Sequence, residues 1–126
     1  MKTIIHTSSA PAPIGPYSQA VKAGSMLFVS GQICIDAETG ELVNQDINAE
    51  TSQVMHNISQ LLKEAGYQFS DIVKTTIFLS DMAHFAAVNT VYSTFFTSDF
   101  PARETVAVSG LPKNVNVEIS VTAYKS

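Results

Sequence analysis

The stretch Asn48–Ser80, "NAETSQVMHNISQLLKEAGYQFSDIVKTTIFLS", changes period in its middle. Val54, Ile58, Leu61, Leu62 and Ala65 recur at helical spacing and form one apolar stripe. That spacing predicts a helix from near Asn48 to about Ala65, with Gly66 just past its end. From Asp71 the pattern becomes two-fold and rich in β-branched residues. Val73, Thr75, Ile77 and Leu79 alternate with Lys74, Thr76, Phe78 and Ser80. One apolar-striped helix followed at once by an alternating strand is the signature of a helix lying on a sheet.

Working outward, "YSQAVKAG" and "MLFVSGQICI" read as two short strands turning at Ala23-Gly24-Ser25, with a loop around Gly40 after them. Before them, Pro11, Pro13 and Pro16 mark an extended entry segment rather than a central strand. On the other side, Phe85, Val88, Tyr92, Phe95 and Phe96 predict a second helix over about Met82–Phe96, capped by Ser80 or Asp81. These aromatics read as core, and Asp99-Phe100-Pro101 ends the helix. Two strands close the chain, Arg103–Ser109 and Val115–Tyr124. The expected order is β-β-α-β-α-β-β, an α+β two-layer sandwich with a mixed sheet, two helices on one face and hairpins at both ends. Two helices cover one sheet face only. The other carries Phe28, Phe78 and Tyr124, so partner subunits are expected on it.

Composition narrows the function. The 126 residues fit one domain, and only 14% of them are charged, which again points to a covered surface. A net charge of −4 with scattered basic residues argues against a phosphate-neutralising face. The single cysteine, Cys34, excludes an intrachain disulfide and reads as a small buried hydrophobe. His6, His56 and His84 are isolated, with no metal-ligand spacing, and read as structural or surface residues. No apolar run suits a signal peptide or a membrane span, so a cytoplasmic, soluble protein is expected.

In "FPARETVAVSGLPKNVNVEIS", Phe100–Ser120, two strand patterns each carry a strong charge, Arg103 and Glu118. Val106 and Val108 share one parity, with Arg103, Thr105, Ala107 and Ser109 on the other. In the last strand Glu118 lies on the polar side, between Asn116 and Ser120. If the strands pair as a hairpin with coincident apolar faces, Thr105 lies opposite Glu118 or Ser120, with Arg103 a diagonal step away. Such a face is either a cross-strand ion pair or an anion site, in which arginine grips a carboxylate and glutamate handles a proton. Glu104 points to the opposite face.

The motifs "IGPYSQA", "VSGQI", "VKTTIFLSDM", "FPARETVAVSGLP" and "VEISVTA", in this order and spacing, resemble the Rid family of YjgF-like enamine/imine deaminases over about Thr3–Tyr124. The resemblance implies a single chorismate-mutase-like domain over residues 1–126 and a homotrimer with a site in each cleft between subunits. It implies a 2-iminobutanoate/2-iminopropanoate deaminase, hydrolysing 2-imino acids and their enamines (2-aminoacrylate among them) to 2-keto acids and ammonia. No metal or cofactor is implied, and neither is a nucleic-acid or membrane partner. It assigns Arg103 to the substrate carboxylate, and Glu118 to the attacking water. Tyr17, Ser30, Gly31 and Asn89 become substrate-binding residues. Thr105 stands where many members have cysteine, and Glu104 where a small residue is usual. With a hydroxyl in place of a thiol, Thr105 is expected to hydrogen-bond water or the imine nitrogen. A non-enzymatic regulator binding small carboxylates, and an RNA-cleaving translation inhibitor, are the rival readings.

Overall fold

The computed structural model describes all residues, Met1 to Ser126. A short strand β1 (Lys2–Ile5) precedes β2 (Ala20–Ala23) and β3 (Met26–Gln32). Helix α1 (Ile47–Ala65), β4 (Ile72–Leu79), α2 (Phe85–Ser93), β5 (Ala102–Ala107) and β6 (Val117–Tyr124) follow. One six-stranded sheet runs β1-β2-β3-β6-β4-β5, antiparallel except for the parallel pair β4–β5. The two-layer α+β arrangement is the expected one, extended by β1, which pairs along the outer edge of β2. Nothing in the alternation of four residues at a terminus separates such an edge strand from coil.

Helix α1 begins where Asp46 accepts a hydrogen bond from the Ala49 amide (2.7 Å). It ends at Gly66, whose φ of 83° is the left-handed cap that only glycine takes without cost. Its stripe, with Val54, Ile58, Leu61 and Leu62 all buried, packs on β3 and β6. Opposite it lie Leu27, Ile77, Leu79, Val117, Ile119 and Ala123, all fully buried. Each large side chain of this core contributes roughly 1.5–3 kcal/mol. The second helix is shorter than the periodicity suggests. A 3-10 turn (Met82–His84) capped by Asp81 leads into it. After Ser93 the chain turns, and Phe95 and Phe96 pack with Phe69 and Phe100 from outside the helix.

The largest correction concerns the C-terminal strands. Strands β5 and β6 do not form a hairpin, because β4 lies between them. Thr75 is opposite Arg103 and Ile77 opposite Thr105 in the parallel pair. On the other side of β4, Phe78 is opposite Glu118 and Leu79 opposite Val117. Residues level with each other in neighbouring strands share a face. Arg103 and Thr105 therefore sit with Thr75 and Ile77 on the helix side, and Glu118 sits with Phe78 on the open side. Parity misleads because β5 is an edge strand that holds only one of the two valines, Val106, and that one is not core. Val106 remains 46% exposed on the open face, and α2 lies over the polar parity instead. Glu104 does face away from Arg103, as expected, and its carboxylate pairs with Lys74 at 3.1 Å on the open face.

That open face is apolar at Phe28 and Tyr124, 48% and 47% exposed, as the sequence anticipates. Cys34 is buried, and burial together with the Glu50 charge pushes its thiol up. No helix is long and apolar enough to cross a membrane.

Candidate functional site

Strand β3 carries a bulge at its end. Val29 is level with Val121 and Gln32 with Ile119, so Ser30 and Gly31 together face Ser120. The bulge brings the Gly31 backbone under the Glu118 side chain. A Cβ on Gly31 would lie 2.5 Å from Glu118 Oε2 and 2.8 Å from its carboxyl carbon. Burial pushes the Glu118 carboxyl above its usual pKa of 4.5.

Ser30 is tied down beside it. Its hydroxyl donates to the Ser18 carbonyl (2.6 Å) and its amide to the Gln19 carbonyl (3.0 Å). The buried Gln19 organises the entry segment. Its amide nitrogen donates to the carbonyls of Thr7, Ala10 and Pro11, and its oxygen accepts from the Thr7 amide. This holds the proline-rich chain against the sheet and sets Tyr17, whose hydroxyl accepts from the Ile14 amide (3.2 Å). Tyr17, Ser30, Gly31 and Glu118 thus line one cavity of about 350 Å³, walled by Ile14, Ile33, Ile35 and Pro112.

Arg103 occupies a different place. Its guanidinium carbon lies 5.1 Å from the Tyr92 ring centroid and 5.8 Å from that of Phe85, stacked against two aromatics of α2. Tyr92 is fixed in turn by a buried hydrogen bond from its hydroxyl to Thr75 Oγ1 (2.9 Å). The chain's one ion pair is Lys74–Glu104, so the Arg103 fork has no carboxylate partner within the chain. A second groove of about 250 Å³ is lined by Asn89, Tyr92, Phe100, Pro101 and Arg103. Thr105 follows Arg103 on the same face, its hydroxyl buried without a partner.

The residues singled out in the sequence therefore fall into two groups in one chain. Tyr17, Ser30, Gly31 and Glu118 open on the sheet's uncovered side. Arg103, Asn89 and Thr105 gather under α2 at the β5 edge. An intramolecular Arg103–Glu118 pair, the simpler of the two sequence readings, does not form. Sequence reasoning also missed Tyr92, read only as core, which serves as a platform for the arginine. A tyrosine whose hydroxyl and ring face have separate partners looks identical in a helical wheel. His6 and His56 are exposed and His84 is half-buried, and no cluster of ligating side chains could hold a metal ion.

The sequence model of the family described as Endoribonuclease L-PSP matches residues 7–125. A RutC family protein of Pyrococcus horikoshii is 53% identical over 99% of both chains. Reactive Intermediate Deaminase A, chloroplastic, of Arabidopsis thaliana is 43% identical over 97% of this chain and 65% of its own length. Among solved structures, a conserved Rid family protein from Yersinia pestis superposes with a TM-score of 0.96 at 47% identity, covering 99% of this chain and 100% of that one. The Escherichia coli protein TdcF, solved with bound serine, superposes at 0.94 with 40% identity, covering 98% and 99%.

Proposed function

The chain belongs to the Rid (YjgF-like) family, and from that premise we propose that it hydrolyses 2-imino acids and the enamines that tautomerise to them, giving 2-keto acids and ammonia. The observation that carries the reading is the unpaired Arg103 fork, stacked on Tyr92 and Phe85 beside the unpartnered Thr105 hydroxyl. A rigid guanidinium with no internal partner is suited to a small carboxylate, which it grips through two parallel hydrogen bonds. That a relative was solved with serine, a small amino acid, agrees with this substrate class.

The complete site is assigned to the cleft between two copies in a homotrimer. One copy supplies Arg103, Thr105 and Asn89. Its neighbour supplies Glu118, Tyr17, Ser30 and Gly31. Arg103 holds the carboxylate and so orients the C=N bond. Glu118, as a carboxylate, accepts a proton from a water that attacks the imine carbon. The same proton is passed to nitrogen, the C–N bond breaks as the carbinolamine hydroxyl gives its remaining proton to the regenerated Glu118 carboxylate, and ammonia leaves the keto acid. Thr105 donates to the water or accepts from the protonated imine nitrogen. A protonated C=N is already electrophilic, so a thiol at position 105 is unnecessary. Orientation and modest proton transfer suffice. We place this activity in the cytoplasm, beside the pyridoxal-phosphate enzymes that release such intermediates.

The regulatory reading keeps a specific foothold in Thr105 and Glu104, where this chain departs from the deaminase pattern. Turnover separates the two. A threonine dehydratase generates the imine in situ, and 2-oxobutanoate formation is expected to accelerate when this protein is added. Tight binding of a keto acid without acceleration would favour the sensor. The −4 net charge speaks against the RNA-cleaving reading.

Glu118 also sets a pH dependence. It works ionised and its pKa is raised by burial, so kcat/KM should fall with pH through a limb lying above 4.5, and the Glu118→Gln protein should lack that limb. Stability has the opposite sign. A carboxyl whose folded pKa is raised favours folding at pH below 4.5, and that advantage is lost as pH rises through the folded value.

A further inference from the structure

We propose that Glu50, a carboxylate sealed in the core, is the positioning residue that fixes Glu118 over the Gly31 bulge. The inference rests on the role given to Glu118 above. Glu50 is 0% exposed, on the first turn of α1. Its Oε2 accepts from the backbone amides of Asn116 (2.7 Å) and Val117 (3.1 Å). Its Oε1 accepts from the Asn116 side-chain amide (3.0 Å). Every donor it uses lies within two residues of Glu118.

The topology explains why such a tie is needed. Strand β3 pairs with β6 only as far as Gln32–Ile119, so on that side the first residues of β6 have no strand partner, though β4 pairs with them on the other. Asn116 is held on the β4 side, its carbonyl and Oδ1 accepting from the Ser80 amide and hydroxyl, both at 2.9 Å. Glu50 supplies acceptors for the remaining amides. The strand that aims Glu118 is thus clamped at its very start from two elements. A first-turn acid helps a helix from the surface, through the dipole, without being buried. Sealing a carboxylate in the core is costly unless it is fully hydrogen-bonded. Its burial here serves the strand rather than the helix.

In the assembled cleft proposed above, the neighbouring copy's Arg103 also faces Glu118, so the titration is read in the Arg103→Ala background, where the carboxyl's position is what varies. Tyr17 is the other titratable residue lining its cavity. Lys74 and Glu104 share the open face but lie further along the strands and pair with each other. Glu50 itself faces Cys34.

The test compares Glu50→Ala, Glu50→Asp and Glu50→Gln with Val54→Ala, a core truncation on the same helix. Two quantities are read: kcat and KM for the in situ imine, and the pH titration of the Glu118 carboxyl carbon by NMR. Glu50→Ala should lower kcat about 30-fold with KM little changed, and Glu50→Asp about 10-fold. In both, Glu118 should titrate closer to its ordinary 4.5, as it moves into water. Glu50→Gln keeps an oxygen for the two backbone amides, and the Asn116 amide can rotate to meet its nitrogen, so kcat and titration should both stay near wild type. Val54→Ala should lose stability with kcat within about three-fold of wild type. Should Glu50→Ala not fold, Glu50→Asp decides, since it keeps the charge and shortens the reach. Unchanged Glu118 titration and kcat in the folded Ala or Asp protein would overturn the proposal. If Glu118→Gln turns over normally, the functional reading falls instead, while the titration still reports on Glu50.

Discussion

Mixing Arg103→Ala protein with Glu118→Gln protein, each reduced to residual turnover alone, is expected to restore turnover to roughly a quarter of the wild-type value. The expectation follows from the sheet order. Arg103 lies on the helix side of β5 and Glu118 on the open side of β6, with β4 between them. Side chains on opposite faces of one sheet cannot hold the two ends of one small substrate. If a carboxylate-gripping arginine and a water-orienting glutamate serve the same reaction, they come from different copies. In a randomly mixed trimer, a cleft works only when its arginine comes from the Glu118→Gln chain and its glutamate from the Arg103→Ala chain. Each condition is met about half the time. Arg103→Ala alone should lose on the order of 10²–10⁴-fold in kcat/KM, because it removes both the bidentate grip and the orientation it imposes. The assembly should persist, as the arginine is stacked on its own α2 rather than paired across the open face. The mixture needs a dissociation and reassociation step, and native mass measurement should show mixed trimers. Mixed trimers as inactive as their parents would show that the two residues do not share a cleft.

The sequence carried the fold at the level of elements and lost it at the level of neighbours. Gly66 and Gly24 act locally, so the end of α1 and the β2–β3 turn were legible from spacing, whereas the cap at Asp46 was not. Strand pairing is not local. Whether β6 pairs with β5 or enters between β3 and β4 depends on which edge is free, and alternation is the same in both cases. Val106 and Val108 look like a core stripe, yet Val106 is exposed and Thr105 is sheltered. Arg103, Thr105 and Glu118 were legible as chemistry because strong polar groups in alternating strands are unusual. Their grouping was not. Glu50 left no mark, since a first-turn acid is what any surface helix offers.

Gly31 carries the second large expectation. Gly31→Ala should reduce kcat by about 10²-fold while lowering stability by only about 1 kcal/mol or less. The added methyl carbon would sit 2.5 Å from Glu118 Oε2, so one of them must move. The backbone has no reason to do so, as Gly31 is not among the residues of positive φ. The obstructing atoms are the far end of a flexible side chain, which can swing away at small cost to folding. The carboxylate that swings is the one proposed to aim the water, and about 1 Å of misplacement is enough to lose two orders of magnitude. Gly66→Ala makes the opposite expectation and serves as the control. Nothing lies within 4 Å of a Cβ there, but a φ of 83° strains any L side chain. That variant should lose roughly 1 kcal/mol of stability and keep its turnover. Measured together by thermal denaturation and the in situ imine assay, the two glycines separate a packing requirement at the site from a conformational one at a helix end. Full activity in Gly31→Ala, with a wild-type Glu118 titration, would mean that the cavity accommodates the methyl and that close approach to the bulge is not what sets the carboxylate.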